Sequence, residues 1–362
     1  MNKKLDYPLL ISVVVLCTIG LFSVVSATRT FGTSTHFITQ LAAAIFGLIL
    51  MAFIAFFDYE VLLPFAKYIF VLSALVLAGV LFLGMTGIWG SKSWIKIGPV
   101  SVQPSEFIKC TFIITLSAHL SKLGKRINTT GGFLGLCLHL LVIVSLIMLQ
   151  PDFGTAVVFV FIFGVMVFCG GLSFKIIIPA LCTSGLLLPA VYYFLDDYQK
   201  NRIKVFLNPE LDPLGSGYNV IRSKLTLGSG EVFGRGYLEG ISTGGGYLPA
   251  KHTDFIFSSV GEELGFVGGA LIIMLLFLLI IRCFITASKA ENPFGRYICI
   301  GAGASILFHT MENVGMCMGL MPVTGIPLPF VSYGGSSLVS SFLLIGMVLS
   351  VASHTTGGRI FE

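Results

Sequence analysis

Long apolar runs separated by short polar segments mark the chain from end to end, and their lengths set the first prediction. A helix needs about 17 to 25 mainly apolar residues to cross a bilayer. Such runs occur at Leu9 to Ala27, Phe37 to Phe57, Lys67 to Thr86, Pro104 to Leu120, Phe133 to Leu149, Thr155 to Cys169, Phe174 to Leu195, Leu264 to Ile285, Tyr297 to Met318 and Ser336 to Ser353. They predict an all-α polytopic membrane protein of about ten transmembrane helices, the sixth being short, in a single integral membrane domain over residues 1–362. The first run follows Lys3 and Lys4 and ends in Val25-Ser26-Ala27, the outline of a signal peptide. Its spanning length and the further runs behind it mark it as a retained helix.

The long interruption at residues 196–263 falls between the seventh and eighth runs and reads as a large extracytoplasmic loop. Turn signals punctuate it at Asn208-Pro209, Asp212-Pro213, Gly215-Ser216-Gly217 and Gly244-Gly245-Gly246. Between them, YNVIRSKLTLGSG mixes Val220, Ile221, Leu225 and Leu227 with Arg222 and Lys224. This predicts a short amphipathic helix on the outer leaflet with its cations toward headgroups; a basic loop held near anionic lipid is the plainer reading.

Composition supports the membrane reading: 55% hydrophobic and 11% charged residues, with a mean hydropathy of +0.95, exclude an ordinary soluble globule. The net charge of +5 does not imply nucleic acid, because membrane topology explains most of it. Lys3, Lys4, Lys67, Lys122, Lys125, Arg126, Lys175, Arg282, Lys289, Arg296 and Arg359 fall on one side. The short segments of the other side carry Arg29, Lys92, Lys96 and Lys109, so both termini are expected in the cytoplasm. A loop as long as 196–263 is largely exempt from that rule. The eight cysteines lie singly in or beside apolar runs and read as small core residues.

Candidate chemistry concentrates at one side. LPAKHTDFIFSSVGEELG, from Leu248 to Gly265, sets Asp254 after Lys251, His252 and Thr253, and a lone acid among cations can act as a base on an anionic lipid substrate. Glu262 and Glu263 read as complements to a helix N-terminal dipole. In WIKIGPVSVQPSEFIK, Pro104 opens the fourth helix, and Glu106 and Lys109 share one face as a candidate pair; a cap plus a snorkelling lysine is the alternative. Trp89 and Trp94 fit interfacial anchors as well as substrate contacts. Asp152, in QPDFGT, either caps the sixth helix or adds a carboxylate to the site. His309 and Glu312, one turn apart, are expected to bond each other as a structural pair. Pro322 to Ser337, PVTGIPLPFVSYGGSS, predicts a re-entrant or broken segment lining a cavity and offering backbone amides and hydroxyls, Ser336 among them.

Together these four separated motifs resemble the SEDS family (shape, elongation, division and sporulation), the peptidoglycan glycan-strand polymerases, over nearly the whole chain. The Tyr218-Asn219 pair and the short N-terminus resemble the elongation branch more than the division branch. Two departures stand out: Ala250-Lys251 where Glu often follows the Pro, and Glu231 where Gly is common. The resemblance implies a GT-C-like fold in the bacterial inner membrane, lipid II and a lipid-linked glycan as donor and acceptor, and a class B penicillin-binding protein as partner. It implies Asp254 as catalytic base. The substrate-contacting candidates are Lys251, His252, Trp94, Glu106, Lys109, Asp152 and Ser336, with Arg202, Arg222, Lys224 and Arg235 for the diphosphate. No cofactor is firmly implied, although a divalent cation such as Mg2+ or Mn2+ is compatible with this chemistry. Gly268, Gly269, Ala270, Gly301, Gly303 and Ala304 are expected to dock the partner's spanning helix, since small residues permit close approach.

A lipid II flippase is the alternative, but it predicts two similar halves and a midplane site, and the chain shows no repeat. A scaffold for other wall enzymes would leave Asp254 dispensable.

Overall fold

The computed structural model describes residues 6–32, 34–85, 92–98, 100–194, 197–213 and 215–355. The expectations for Lys3, Lys4, Trp89, Leu195, Asp196 and Arg359 lie outside these residues.

Among the described residues, ten long helices match the predicted runs: α1 (Tyr7–Thr28), α2 (Thr35–Phe56), α3 (Leu62–Leu83), α4 (Pro104–Leu123), α5 (Thr130–Met148), α6 (Phe153–Cys169), α7 (Phe174–Phe194), α11 (Ile256–Lys289), α12 (Pro293–Met318) and α13 (Gly335–Thr355). The protein is a multi-pass, all-α membrane protein. Among the described residues, six helical segments are long and apolar enough to cross a membrane by length and composition alone, those of α1, α2, α3, α5, α11 and α13. Two of the remaining four, α4 and α12, are diluted by polar residues that turn toward protein: Glu106, Lys109, His309, Glu312 and Asn313 are all buried.

Local chemistry sets several helix starts. Asp6 accepts from the Leu9 amide at 3.2 Å, with Pro8 behind it, and starts α1; Asp152 caps α6, and Asn292 with Pro293 starts α12. In the bundle, α13 packs along α2 and α11 along α12, while α4 sits centrally against α3, α12, α13, α6 and α5.

The segment predicted as a large loop is mostly helical. It contains α8 (Asp197–Leu207), α9 (Ser216–Gly228), α10 (Ile241–Gly245) and the first turns of α11. The eighth span thus begins at Ile256 rather than Leu264, and it kinks at Gly265, where φ is 65° and ψ is −164°. Residues 231–236 fill the kink: the Arg235 and Gly236 amides donate to the Glu262 and Glu263 carbonyls at 2.9 and 3.1 Å, and the Phe266 and Val267 amides donate to the Glu231 and Val232 carbonyls at 2.9 and 3.1 Å. The backbone groups freed by the break are thereby satisfied.

Helix α9 exists, with Val220 buried and Lys224 exposed, but its buried face is partly polar. Ser223 and Thr226 are fully buried against the bundle, Ser223 bonding Ser258 Oγ at 2.7 Å and the Cys317 carbonyl at 3.0 Å, whereas Leu225 is exposed. Two short strands also went unpredicted, β1 (Ile95–Ile97) and β2 (Val100–Val102), paired antiparallel with Ile95 opposite Val102.

The expected partner-docking face is largely consumed inside the chain. A Cβ on Gly301 would stand 2.6 Å from Ile113, one on Gly303 would stand 3.2 Å from Cys283, and one on Gly269 would stand 3.2 Å from the Phe257 ring; Ala304 is fully buried. These small residues serve helix packing within the bundle.

Candidate active site

Four chain breaks and two buried helices enclose one cavity of about 550 Å³. Its walls come from the β-hairpin and the start of α4 (Trp94, Lys96, Gln103, Glu106, Lys109), the α5–α6 turn (Pro151 to Thr155), α8 (Arg202), the loop before α11 (Thr253, Asp254), α12 (His309) and the α12–α13 segment (Pro322 to Pro327, with Tyr333, Gly334 and Ser337). That last segment is irregular yet buried, with Ile326, Leu328, Phe330 and Val331 at 4% exposure or less, which is where non-helical backbone at membrane depth is tolerated.

Asp254 is 7% exposed. Burial pushes its carboxyl up to about 6, and the charge of Arg202 only partly opposes this. Such a carboxylate is ionised at pH 7 and still binds a proton more readily than a solvated one. Glu312 also lies within electrostatic reach of both Asp254 and Arg202.

Glu106 and Lys109 pair as their spacing predicts, Lys109 Nζ donating to Glu106 Oε2 at 2.9 Å. Ser340 Oγ donates to the same carboxylate oxygen at 2.9 Å. Lys109 Nζ also lies 2.8 Å from His309 Nε2. A lysine ammonium only donates, so Nε2 is the acceptor and Nδ1 carries the proton, aimed at the Pro327 carbonyl 3.2 Å away. The expected His309–Glu312 bond is absent among the described residues: Glu312 instead accepts from Thr324 Oγ1. His309 therefore belongs with the cavity, which sequence spacing alone concealed.

Asp152 does both things proposed for it, lining the cavity and capping α6 through the Thr155 amide at 3.1 Å; Gln103 Nε2 donates to it at 3.2 Å. Burial raises its pKa. Ser336 stands just behind the wall, accepting from the Gln103 amide at 3.1 Å.

The cations separate. Arg202 lines the cavity. Lys251 is buried elsewhere, donating to Thr30 Oγ1 at 2.9 Å and to the Thr243 carbonyl, and burial lowers its pKa. His252 packs with His36 and Tyr333, ring centroids 5.3 and 5.5 Å away, and burial beside His36 and Lys251 lowers it to about 4. Arg222 lies over the Tyr218 and Tyr247 rings, Lys224 is exposed with its stem against Gly319, and the exposed Arg235 belongs to the kink-filling loop. None of these five lines the cavity. Glu262 and Glu263 are not simple dipole complements either. Glu262 accepts from the Ser242 and Thr243 amides at 2.7 and 2.8 Å and from Thr243 Oγ1 at 2.7 Å, and Glu263 accepts from Ser26. Together with Lys251 they anchor the approach to Asp254. Lys96 and Gln103 are wall residues that sequence reasoning passed over.

A multi-pass helical bundle with acids and cations gathered in one cavity beneath irregular loops defines a membrane enzyme of the FtsW/RodA/SpoVE (SEDS) type, and the chain belongs to that family: the family described as "Cell cycle protein" matches residues 7–357. The stage V sporulation protein E of Bacillus subtilis is 38% identical, covering 97% of each chain. The peptidoglycan glycosyltransferase MrdB of Escherichia coli is 34% identical over 85% of this chain and 83% of its own. Among solved structures, a chain from one described as "Structural coordination of polymerization and crosslinking by a peptidoglycan synthase complex" superposes with a TM-score of 0.85 at 31% identity, covering 98% of this chain and 99% of that one. The rod shape determining protein RodA of Thermus thermophilus gives 0.73 at 29% identity, covering 97% of both chains.

Proposed function

We propose that the cavity is where this peptidoglycan glycosyltransferase polymerises lipid II into glycan strands for cell elongation, with a class B penicillin-binding protein as its crosslinking partner. The observation that carries the reading is that buried Asp254 and Arg202 line the same cavity, close enough for the arginine's charge to act on the carboxylate. Asp254 takes the proton from an acceptor sugar hydroxyl as that oxygen attacks the donor's anomeric carbon. The bond from that carbon to the diphosphate oxygen breaks, and the electron pair leaves with undecaprenyl diphosphate. Arg202, with Lys96 at the rim, offsets the charge left on the diphosphate. General-base assistance of this kind contributes about 10²–10⁴-fold.

The Glu106–Lys109–His309 network and Asp152, which line the same cavity, present polar groups to the sugars. Among the described residues no group of three or more His, Cys, Asp or Glu could hold a metal ion, and no step here runs through one. The cavity faces outward and both termini lie in the cytoplasm, the orientation that the Lys and Arg distribution supports. The partner reading rests on the similarity to the synthase-complex chain. The elongation branch rests on the Tyr218-Asn219 pair.

The test is purification with the cognate penicillin-binding protein, addition of fluorescent lipid II and separation of products on a gel. A ladder from the wild type and none from Asp254→Asn is the expected result. Lipid II translocation without any ladder would favour the flippase instead.

A further inference from the structure

Three successive backbone carbonyls of the segment bearing Asp254 are held by the α12–α13 region. The Tyr333 amide donates to the His252 carbonyl at 2.8 Å, Ser332 Oγ to the Thr253 carbonyl at 2.7 Å, and Asn313 Nδ2 to the Asp254 carbonyl at 2.8 Å. The group that holds the third also holds a second stretch of chain: Asn313 Nδ2 donates to the Ile326 carbonyl at 2.8 Å. Both amide protons are thus used, on two different stretches of chain. The two acceptors also fix the amide's orientation, since an oxygen in the same place would face two carbonyl oxygens.

Asn313 is fully buried, and its Oδ1 has no hydrogen-bond partner among the described residues. A buried polar atom left unpaired is costly, and an apolar side chain of similar volume would fill the space without that cost. What the asparagine supplies is the pair of donors. Its second acceptor, Ile326, follows Gly325, whose φ is 80°. A Cβ on Gly325 would stand 3.7 Å from Asp254 Oδ2, so Gly325 forms the wall facing the carboxylate. The preceding residue on α12, Glu312, binds Thr324 in the same turn of chain. One turn of α12 therefore grips both the segment that carries the acid and the wall opposite it.

We propose that Asn313 is a positioning residue for glycosyl transfer, fixing the gap between the Asp254 carboxylate and the Gly325 wall through its two hydrogen bonds to the Asp254 and Ile326 carbonyls. The proposal rests on the reading of Asp254 as the base. A misplacement of about 1 Å at a reacting group costs up to about 10²-fold, whereas Arg202 on α8 and the Glu106–Lys109 pair on α4 stand on other elements and continue to hold the donor. Loss of the clamp is thus expected in kcat rather than in KM.

The experiment compares wild type, Asp254→Asn, Asn313→Ala, Asn313→Asp and the milder Asn313→Ser in complex with the penicillin-binding protein, using fluorescent lipid II and rates normalised to folded protein. Asn313→Ala and Asn313→Asp should lower kcat by about 10- to 100-fold, leave KM for lipid II within about threefold, and displace the acid limb of the rate profile. Asn313→Ser, which keeps one donor, should fall between them and wild type. Wild-type kcat and an unchanged acid limb in the folded variants, with only thermal stability lowered, would overturn the proposal, and Asn313→Ser alone decides where the larger changes prevent folding. A wild type that makes no strands, or an Asp254→Asn protein that does, would instead end the reading of Asp254 and the proposal with it.

Discussion

Lys109 of α4 and His309 of α12 meet at 2.8 Å, so a helix start and a helix almost two hundred residues later share one buried cation. Because the lysine also holds Glu106 at 2.9 Å, the three side chains act as one unit, with Ser340 and the Pro327 carbonyl closing its ends. Removing one partner from a buried ion pair costs about 3–5 kcal/mol, since the other charge is left unpaired. Lys109→Met and Glu106→Gln should therefore each lower the melting temperature more than the double change does. His309→Gln keeps an acceptor for Lys109 and should be milder than His309→Leu. Thermal unfolding of the four single variants and the double one, in a single detergent, checks this ordering.

The separation of the cations makes a second prediction. Arg202 lines the cavity beside Asp254, whereas Arg222, Lys224 and Arg235 do not line it. Arg202→Ala should raise KM for lipid II by about tenfold or more, as expected for a lost charge-assisted bond to phosphate. Arg222→Ala, Lys224→Ala and Arg235→Ala should stay within about twofold of wild type in the same strand-forming assay. Equal losses at all four positions would place the diphosphate outside the cavity.

These placements show what the sequence carried and where it stopped. The helical bundle was legible because apolarity sustained across the width of a bilayer fits a spanning helix and little else, and the Glu106–Lys109 pair was legible because three residues along a helix is one face. His309 was misread for the same reason: its neighbour in sequence, Glu312, offered a local partner, and nothing local announces Lys109. Lys251 and Arg202 carry the same charge in the same connection, so only the path of α8 and the loop before α11 sorts the buried anchor from the cavity residue. The burial of Ser223 left no mark in the sequence, because the groups it bonds, Ser258 and the Cys317 carbonyl, lie on distant elements. The hairpin at 95–102 escaped notice because three-residue strands are too short for a periodic signal.

The proposed orientation is checked by labelling. Glu239 and Lys125 are both exposed, and the chain path puts them at opposite ends of the bundle. In a background without the native cysteines, Glu239→Cys should react with a membrane-impermeant maleimide added to intact cells, while Lys125→Cys should react only after permeabilisation. The reverse pattern would place the cavity on the cytoplasmic face and remove the strand-polymerising reading.

The buried acid is expected to cost stability in exchange for reactivity. Asp254 titrates near 6 because burial disfavours its charge, against 3.8 for the free side chain, so the folded state binds its proton more tightly than the unfolded state does. The folded protein is therefore destabilised progressively as pH rises from about 4 to about 6, and the whole penalty is present above that. Asp254→Asn removes the charge while keeping the shape, and it should unfold at a higher temperature than wild type at pH 7.5, the gap closing as pH falls toward 4. Activity runs the other way: wild-type kcat/KM should fall about tenfold per pH unit below about 6, as the base becomes protonated, and Asp254→Asn should make no strands at any pH. Thermal melts and strand assays across pH 5–8 test both halves. A variant no more stable than wild type at pH 7.5, together with a flat activity profile between pH 5 and 7, would show that Asp254 is neither buried in the way described nor the group that takes the proton.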